Sequence, residues 1–254
     1  MADIKKNERK SFAPGALTAP LPPVLVTVGD MDSANIITIA WTGILATIPP
    51  KTYISVRPSR HSYQMLKDKG EFVINLPSSS LAREVDYAGI YTGAKVDKFE
   101  KCGFSKAESQ EVAAPTIAEC PIALECKITD VLPMGSHDVF MADIVSVSCR
   151  EDILDEGRIC YDKADLLAYA HGEYFALGEK LGKFGFSTDK KKAATSPKEK
   201  AERKTEPKKA EKTPAEAPKK KAHRGQGNPP APKPKKRGKR PFGKVEKSSI
   251  RRGK

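Results

Sequence analysis

Short apolar runs of strand length dominate the first 188 residues of the chain. Residues 24–28 form one such run, and residues 35–42 alternate and are rich in Ile and Thr. The turn formers of residues 29–33 separate the two segments. β-prone segments joined by a cluster of turn formers are typical of antiparallel hairpins, so this pattern predicts a hairpin.

A second, clearer hairpin pattern lies further along the chain. Residues 122–132 and 139–147 are rich in β-branched side chains, and Pro133-Met134-Gly135-Ser136 joins them with the composition of a hairpin connection. Two further strand segments are predicted at residues 53–56 and 72–76. The chain therefore carries at least six predicted strands.

Helical patterns are few and short. Residues 62–69 combine apolar positions with lysines in the last turn and precede Gly70, a typical C-terminal cap. Residues 80–91 begin in a serine-rich segment and offer one apolar face. Strands that follow one another as hairpins, with two or three short helices, favour a mainly β fold over a doubly wound sheet. We expect an antiparallel barrel with Greek-key-like connections.

Charge divides the chain into two parts. Residues 1–188 carry 20 Lys and Arg against 25 Asp and Glu, a net charge of −5, whereas residues 189–254 carry 25 against 7, a net charge of +18. The second part has nine prolines and three large apolar residues, Phe242, Val245 and Ile250. This is too little apolar surface to offset roughly 1–2 kcal/mol of backbone entropy per ordered residue. We expect one globular domain, 1–188, followed by a disordered basic Lys/Pro/Ala-rich tail, 189–254.

Composition also bears on compartment. No apolar run approaches the roughly 18–20 residues of a membrane helix, and the first residues lack the apolar segment of a secretion signal. The five cysteines are odd in number and lack CxxC or Cys/His metal-ligand spacing. We therefore predict reduced thiols, no metal site, no membrane association and a cytoplasmic location.

The segment Arg57-Pro58-Ser59-Arg60-His61-Ser62 lies where a predicted strand ends and a helix begins. Unpaired N–H groups and partial positive charge at a helix N-terminus, together with guanidinium groups and hydroxyls, favour a bound phosphate. The alternative is that Ser59 or Ser62 caps the helix and the arginines are solvated.

The segment Asn35–Gly43 contains the single tryptophan of the chain, Trp41, followed by Thr-Gly. A strand with small residues and free backbone donors can approach a planar ring closely, so a flat ligand is one interpretation. The other is that Ile37, Ile39 and the aromatic ring form ordinary core.

Several catalytic signatures are absent from the sequence. It contains no GxGxxG, GxxxxGK[ST], HExxH or GxSxG motif, and its four histidines are far apart. No acid, base or nucleophile is indicated by spacing. If the protein performs redox chemistry, a bound cofactor has to carry it.

Four stretches in order give the chain a family likeness: NIITIAWTG at 35–43, SVRPSRHSYQML at 55–66 with GEFVINLP at 70–77, DKF at 97–99, and GSHDVF at 135–140. Together with YFALGEKLGKFGFS at 174–187, they make the span from about residue 14 to 187 resemble the flavin reductase-like family with an FMN-binding split barrel. The resemblance is to its flavoredoxin-type branch.

This resemblance implies a homodimer of six-stranded split barrels, each binding FMN without a covalent bond near the dimer interface. It places the isoalloxazine against Thr38, Ala40, Trp41 and Thr42, with Asn35 as a further FMN contact. It places the phosphate against Arg57, Ser59 and Ser62, with His61 and Asn75 close by. His137 matches a position near which nicotinamide stacks on the flavin in related reductases, so it is a candidate nicotinamide or flavin contact.

Two classes of function follow. The first is an FMN-dependent oxidoreductase, either a flavin reductase using NADH or NADPH or a flavoredoxin-like carrier reduced by a ferredoxin-like protein. The second is a nucleic-acid- or ribosome-associated protein that binds through clusters such as Lys219-Lys220-Lys221 in the tail. For the tail, simple solvation is the alternative. A barrel without cofactor, used for oligomerisation, is a third possibility.

Overall fold

A seven-stranded antiparallel sheet forms the main body of the molecule in the computed structural model, which describes residues 9–188. The strands are β1 Val24–Val28, β2 Asn35–Ile39, β3 Thr42–Thr47, β4 Pro50–Val56, β5 Glu71–Leu76, β6 Lys106–Ala107, β7 Thr116–Ile117, β8 Ile122–Pro133, β9 Asp138–Cys149, β10 Leu154–Asp155, β11 Arg158–Ile159, β12 Leu167–Ala170 and β13 Glu173–Ala176. The helices are α1 His61–Lys69, α2 Ala82–Ile90, α3 Lys98–Cys102 and α4 Tyr161–Ala164, with 3₁₀ turns at Ser79–Leu81, Glu151–Ile153 and Phe186–Thr188.

The large sheet has the strand order β2-β1-β5-β8-β9-β4-β3. Its two outermost strands, β2 and β3, are separated in the chain by Ala40 and Trp41 alone. The two edges must therefore meet at that point, so the sheet curls into a barrel. A hydrogen bond fixes the chain at this crossing: the Trp41 carbonyl accepts from the backbone N–H of Ser55 in β4, at 2.9 Å.

The long hairpin β8–β9 supplies much of the curvature. Its register shifts twice, between Glu125 and Cys126 and between Ile128 and Asp130. Such irregularities bend a strand and increase its twist, which a sheet needs in order to close. The hairpin thus bridges β5 on one side and β4 on the other.

Two hydrophobic clusters lie on opposite faces of β1. Val24, Val26 and Val28 point into the barrel, where they pack with Phe72 and Phe140. Leu25 points the other way, into a cluster covered by α2 and α3. Every residue of β1 is buried, which explains why this strand is an uninterrupted apolar run instead of an alternating one.

The structure confirms the main sequence expectations. Both predicted hairpins form, with Gly70 at the end of α1 in the left-handed conformation, φ 68°. The fold is a mainly β split barrel, as expected. Seven strands form the sheet, whereas the family resemblance implied six. The segment predicted as one strand over 35–42 ends at Ile39, and after Ala40 and Trp41 a further strand, Thr42–Thr47, forms from residues that, apart from Thr42, no pattern had predicted as a strand.

The predicted basic tail, 189–254, lies outside the described residues, so its disorder and its boundary remain predictions. Within residues 9–188, no helix is long and apolar enough to cross a membrane. All five cysteines are free thiols.

Asn75 holds the barrel to the segment before β8. Its amide is fully buried; Nδ2 donates to the Leu25 carbonyl at 3.0 Å, and Oδ1 accepts from the Ile117 N–H at 2.9 Å. A buried backbone group that loses its partner costs about 1–3 kcal/mol. The Asn75 side chain therefore satisfies two backbone groups that no water can reach.

We expect Asn75→Ala to lower the free energy of unfolding by about 2–4 kcal/mol, because it removes the acceptor of the buried Ile117 N–H together with the buried amide donor to the Leu25 carbonyl. Urea denaturation followed by circular dichroism measures this. The matched control is Gln64→Ala on α1, which removes an exposed amide bonded to Asp68 and should change stability by less than about 0.5 kcal/mol. Equal effects of the two substitutions would contradict the prediction.

Candidate functional site

Two adjoining clefts lie beside the closure of the barrel. The large cleft has a volume of about 430 Å³ and the small cleft about 80 Å³. The two share Ile37, Arg60 and Gly89, so they are neighbouring parts of one depression. The large cleft is also lined by Pro23, Thr38, Ile39, Ala40, Trp41, Ser55, Val56, Arg57, His137, Tyr169 and Tyr174. The small cleft is also lined by Asn35, Ser59, His61, Ser62, Ala88, Tyr91, Thr92, Gly93 and Lys98.

The small cleft is built around the N-terminus of α1. Arg60 is the cap residue and makes no side-chain cap hydrogen bond, and neither Ser59 nor Ser62 caps the helix, contrary to the alternative considered above. The first-turn N–H groups of α1 therefore lack a side-chain acceptor from the cap residue, and hydroxyl groups stand beside them.

A buried polar pair forms one wall of the small cleft. Asn35 Nδ2 donates to Ser62 Oγ at 2.7 Å, and both side chains are buried. The Ser62 oxygen is thus an acceptor for Asn35, which leaves its O–H free to donate to a ligand. Gly93 closes over this pair so tightly that a Cβ there would lie 2.0 Å from Asn35 Oδ1.

Lys98 supplies a buried cation to the same cleft. The side chain is 4% exposed, and Nζ donates to the carbonyls of Ile36 and Ala88, both at 2.7 Å. Burial, with the nearby Arg60 as a lesser cause, lowers the pKa of Lys98 to about 8. Two hydrogen bonds use two of the three ammonium protons, so one donor remains.

These features suit the small cleft to an anion. A buried charge without an opposite charge is costly, and among the described residues Lys98 has no carboxylate partner and no Asp or Glu lines the small cleft. A phosphate placed there would meet the ammonium group, Arg60, two serine hydroxyls and the N-terminus of α1. The donor set is thus that of a phosphate site.

One wall of the large cleft is the end of β2 and its crossing into β3. Thr38 Oγ1 donates to the Val85 carbonyl of α2 at 2.6 Å, which ties the strand to the helix. Gly89 of α2 lies so close to the same threonine that a Cβ at position 89 would be 3.3 Å from Thr38 Cβ. The close approach of strand and helix forms part of the wall of the large cleft, which adjoins the small one.

Arg57 and His137 also line the large cleft, and the guanidinium group of Arg57 brings positive charge to it. Arg57 Nε donates to His137 Nε2 at 3.3 Å, and Ser136 Oγ lies 2.9 Å from the other ring nitrogen. Burial, followed by the charges of Arg57 and Arg60, lowers the pKa of His137. The imidazole is therefore neutral at pH 7, with its proton on Nδ1, because Nε2 accepts from the guanidinium.

Two tyrosines from the hairpin β12–β13 complete the large cleft. The rings of Tyr169 and Tyr174 lie 5.3 Å apart at 59°. Tyr174 donates to Asp86 Oδ1 at 3.2 Å, and burial followed by Asp86 raises its pKa to about 12. The hydroxyl therefore stays protonated at pH 7, and the cleft gains an aromatic wall.

The structure brings most of the sequence-predicted site residues together. Those that line a cleft are Thr38, Ala40, Trp41, Arg57 and His137 in the large one and Asn35, Ser59, His61 and Ser62 in the small one. Thr42 lines neither cleft, and its hydroxyl donates to the Tyr53 carbonyl. Asn75 lines neither as well, because its amide is used in the core.

Among the lining residues that were not predicted as individual site residues, the ones that supply charge or an aromatic wall in the arrangement described above include Arg60, Lys98, Tyr169 and Tyr174. Arg60 lies within the segment 57–62 that the sequence indicated as a phosphate site. Lys98 belongs to the DKF stretch at 97–99, which contributed to the family resemblance, but the sequence indicated no function for this lysine. Tyr174 begins the stretch 174–187 that resembles the family, but neither it nor Tyr169 was given a role, because only the folding of β12–β13 against the barrel places them there.

Comparison with known proteins agrees with this geometry. Residues 17–178 match the family described as flavin reductase like domain. The chain belongs to this family. Flavoredoxin of Desulfovibrio vulgaris (Miyazaki F) is 34% identical, with a TM-score of 0.66 over 71% of this chain and 100% of that one.

More distant relatives extend the comparison. The fold is shared with flavoredoxin from Methanosarcina acetivorans, at 24% identity and a TM-score of 0.66 over 72% of this chain and 98% of that one. An uncharacterized protein of Archaeoglobus fulgidus is 33% identical over 139 residues, which are 55% of this chain and 77% of that protein.

The lowered pKa of Lys98 predicts a pH dependence of stability. Between about pH 8 and 10.5 the unfolded chain holds a proton that folded Lys98 has lost, so the contribution of Lys98 to stability rises with pH across this window, by at most about 1.4 kcal/mol per unit. Burial raises the pKa values of the Cys120 and Cys126 thiols, which act in the opposite direction above about pH 9, so the contribution of Lys98 has to be measured as a difference between variants. In urea denaturation of the ligand-free protein, the stability of wild type and of the control Lys101→Met should rise with pH relative to that of Lys98→Met; an identical pH dependence in all three would contradict the assignment.

Proposed function

We propose that this chain binds FMN in the two clefts and acts as a redox protein. The observation that carries the proposal is the buried ammonium group of Lys98, which has no carboxylate partner among the described residues and lies in the small cleft, next to a larger, partly aromatic one. A long planar cofactor with a terminal phosphate fits this arrangement. The family membership, and the 34% identity to a flavoredoxin, support the same cofactor.

The small cleft would hold the phosphate. Lys98 and Arg60 supply charge, Ser59 and Ser62 supply hydroxyl donors, and the first turn of α1 supplies N–H groups. Asn35 keeps Ser62 oriented through their 2.7 Å hydrogen bond. This set fits a phosphate better than a neutral group, because a neutral ligand would leave the buried cation uncompensated.

The large cleft would hold the ring system. Thr38, Ala40 and Trp41 line it on the strand side, and Tyr169 and Tyr174 on the other. When bound there, FMN supplies hydride or electron transfer, so the protein needs no nucleophile of its own. The residues of the cleft orient the ring and exclude water, and His137 remains a candidate contact for nicotinamide.

Two roles remain within this function: an NADH- or NADPH-dependent flavin reductase and an electron carrier reduced by a ferredoxin-like protein. A homodimer is part of the proposal. Exposed apolar side chains support the dimer. Near the β3–β4 turn, Ile44 and Ile48 are 63% and 94% exposed to solvent, and near the end of the domain Leu181 and Phe184 are also exposed. The cytoplasmic location remains a prediction from the cysteine pattern.

The first experiment is the visible absorption spectrum of the purified full chain, with its mass in solution measured by light scattering. Flavin bands that bleach with NADH or NADPH without oxygen identify a reductase and its donor. Bands that bleach only with reduced ferredoxin identify a carrier. Protein that is colourless and fails to take up added FMN would contradict the proposal, and a monomeric mass would contradict the dimer.

A comparison of FMN with riboflavin, which lacks the phosphate, tests the small cleft. We expect Lys98→Met to weaken FMN binding by about 10- to 100-fold, since a hydrogen bond to a charged group contributes about 1.5–3 kcal/mol. Riboflavin binding should change little. The control Lys101→Met, on the same helix α3, should leave both affinities unchanged.

The pH dependence of the two affinities gives a second test of the same assignment. Because the ammonium form of Lys98 binds the phosphate, FMN affinity of the wild type should fall as pH rises above about 8. Riboflavin affinity should stay level over the same range. Parallel changes for the two ligands in fluorescence titrations would show that Lys98 does not contact the phosphate.

The charge of residues 189–254, a net +18, supports a second candidate function. We propose that the tail contacts nucleic acid without sequence preference, since its lysines far outnumber aromatic side chains able to stack on bases. The two functions are compatible, because a basic tail can localise a flavoprotein on RNA or ribosomes.

Removal of residues 189–254 tests the role of the tail. Flavin binding should be unchanged, and retention on single- or double-stranded nucleic acid should vanish. With about 6–10 phosphate contacts, the affinity of the full chain should fall about 10³- to 10⁵-fold between 50 and 200 mM salt. A flat salt response would favour the alternative, a solvated appendage.

A further inference from the structure

Asp97 stands directly before Lys98 in the chain, yet its carboxylate does not pair with the buried ammonium group. None of the ion pairs in the described part of the chain includes either residue. Asp97 Oδ1 instead accepts from the backbone N–H groups of Phe99, at 2.8 Å, and Glu100, at 3.2 Å. An adjacent carboxylate is the obvious counter-ion for a buried lysine, so its use on the backbone calls for a physical reason.

The two hydrogen bonds of Asp97 form the N-cap of α3. Asp97 has the extended backbone of a cap residue, with φ −75° and ψ 112°, and its side chain satisfies N–H groups that a helix start leaves unpaired. At the other end, Gly103 is in the left-handed conformation, with φ 67°, and donates its N–H to the Glu100 carbonyl at 3.2 Å. Because α3 has only five residues, it is too short to be stable by itself. The caps therefore help to fix where α3 begins.

Lys98 is the first residue of α3, so the cap sets the point from which its side chain starts. At the far end of that side chain, Nζ donates to the carbonyls of Ile36 in β2 and Ala88 in α2, both at 2.7 Å. The lysine is thus fixed at its backbone and at its ammonium group. A free lysine side chain has many rotamers, so fixing both ends removes an entropy loss that a bound phosphate would otherwise have to offset.

We propose that Asp97 is a positioning residue for the FMN phosphate and acts through Lys98. Its cap fixes the start of the lysine side chain. The same two hydrogen bonds hold the carboxylate on the backbone of α3, so the ammonium group stays available to an anion. The proposal rests on the function proposed above, in which Lys98 contacts the phosphate. Asp97 itself lines neither cleft and needs no contact with the ligand.

The affinities of the full chain for FMN and riboflavin, measured by fluorescence titration, test this role. Asp97→Ala removes the cap and should weaken FMN binding by about 3- to 30-fold, the range expected for loss of an N-cap. Riboflavin binding should change by less than about twofold, because riboflavin has no phosphate. Asp97→Ser keeps a capping oxygen without the charge and should return FMN affinity to within about threefold of wild type.

The matched control is Glu119→Ala. It removes a carboxylate that accepts from the Ser105 N–H, beyond the other end of α3, and that lines neither cleft. The ratio of FMN affinity to riboflavin affinity should stay at the wild-type value in this variant.

A double-mutant cycle separates positioning from a purely structural role. If Asp97 acts through Lys98, Asp97→Ala should have almost no effect on FMN affinity in the Lys98→Met background, because the group that it positions is gone. A contribution to stability alone would give the same factor in both backgrounds. An effect of the negative charge itself has the opposite sign, since its removal near a phosphate should strengthen FMN binding.

Several results would overturn the role of Asp97 while leaving FMN binding by the wild type intact. They are equal losses of FMN and riboflavin affinity in Asp97→Ala, an FMN affinity that is unchanged or raised in this variant, and a full effect of Asp97→Ala in the Lys98→Met background. FMN binding as weak in Asp97→Ser as in Asp97→Ala would overturn it as well. An unchanged FMN affinity in Lys98→Met, or failure of the wild type to bind FMN, would overturn the phosphate assignment and this proposal together.

Discussion

The two-residue connection between β2 and β3 is the constraint on which the rest of the structure depends. Because Ala40 and Trp41 alone separate the two edge strands, the sheet has to curl until its edges meet. The same crossing forms a wall of the large cleft. Barrel closure and the candidate site are therefore one feature, and a chain that failed to close at Trp41 would also lose the wall against which a planar ligand lies.

The two clefts carry positive charge, although the domain around them is net negative. Residues 1–188 are net acidic, yet the residues that line the two clefts include Arg57, Arg60 and Lys98 and, among the described residues, no carboxylate. Arg57 and Arg60 are exposed, whereas Lys98 is buried, and a buried charge without a counter-charge is costly. An anionic ligand compensates that cost, so the lysine that weakens the empty protein favours the loaded one.

Much of this fold was predictable, because hairpins leave a local signature: apolar segments of strand length with Gly, Pro, Asp or Ser between them. The helix start at residues 57–62 was predictable for the same reason. The role of Lys98 was not predictable, since it comes from burial between the carbonyls of Ala88 in α2 and Ile36 in β2, the latter 62 residues away in the sequence. Asn75 shows the converse: a polar residue near a family motif turned out to serve the core. Sequence reveals residue types and local order, whereas side-chain partners depend on packing.

Gly93 has a consequence for how this site can vary among relatives. Its backbone lies where any side chain would collide with the amide of Asn35, at 2.0 Å from Oδ1 to the added carbon. The two positions therefore cannot change independently. A relative with a side chain at the position of Gly93 should carry a smaller residue at that of Asn35, and then needs another group to orient the hydroxyl of Ser62. Covariation of these positions across the family would record a steric coupling between the amide that joins β2 to α1 and the loop that follows α2.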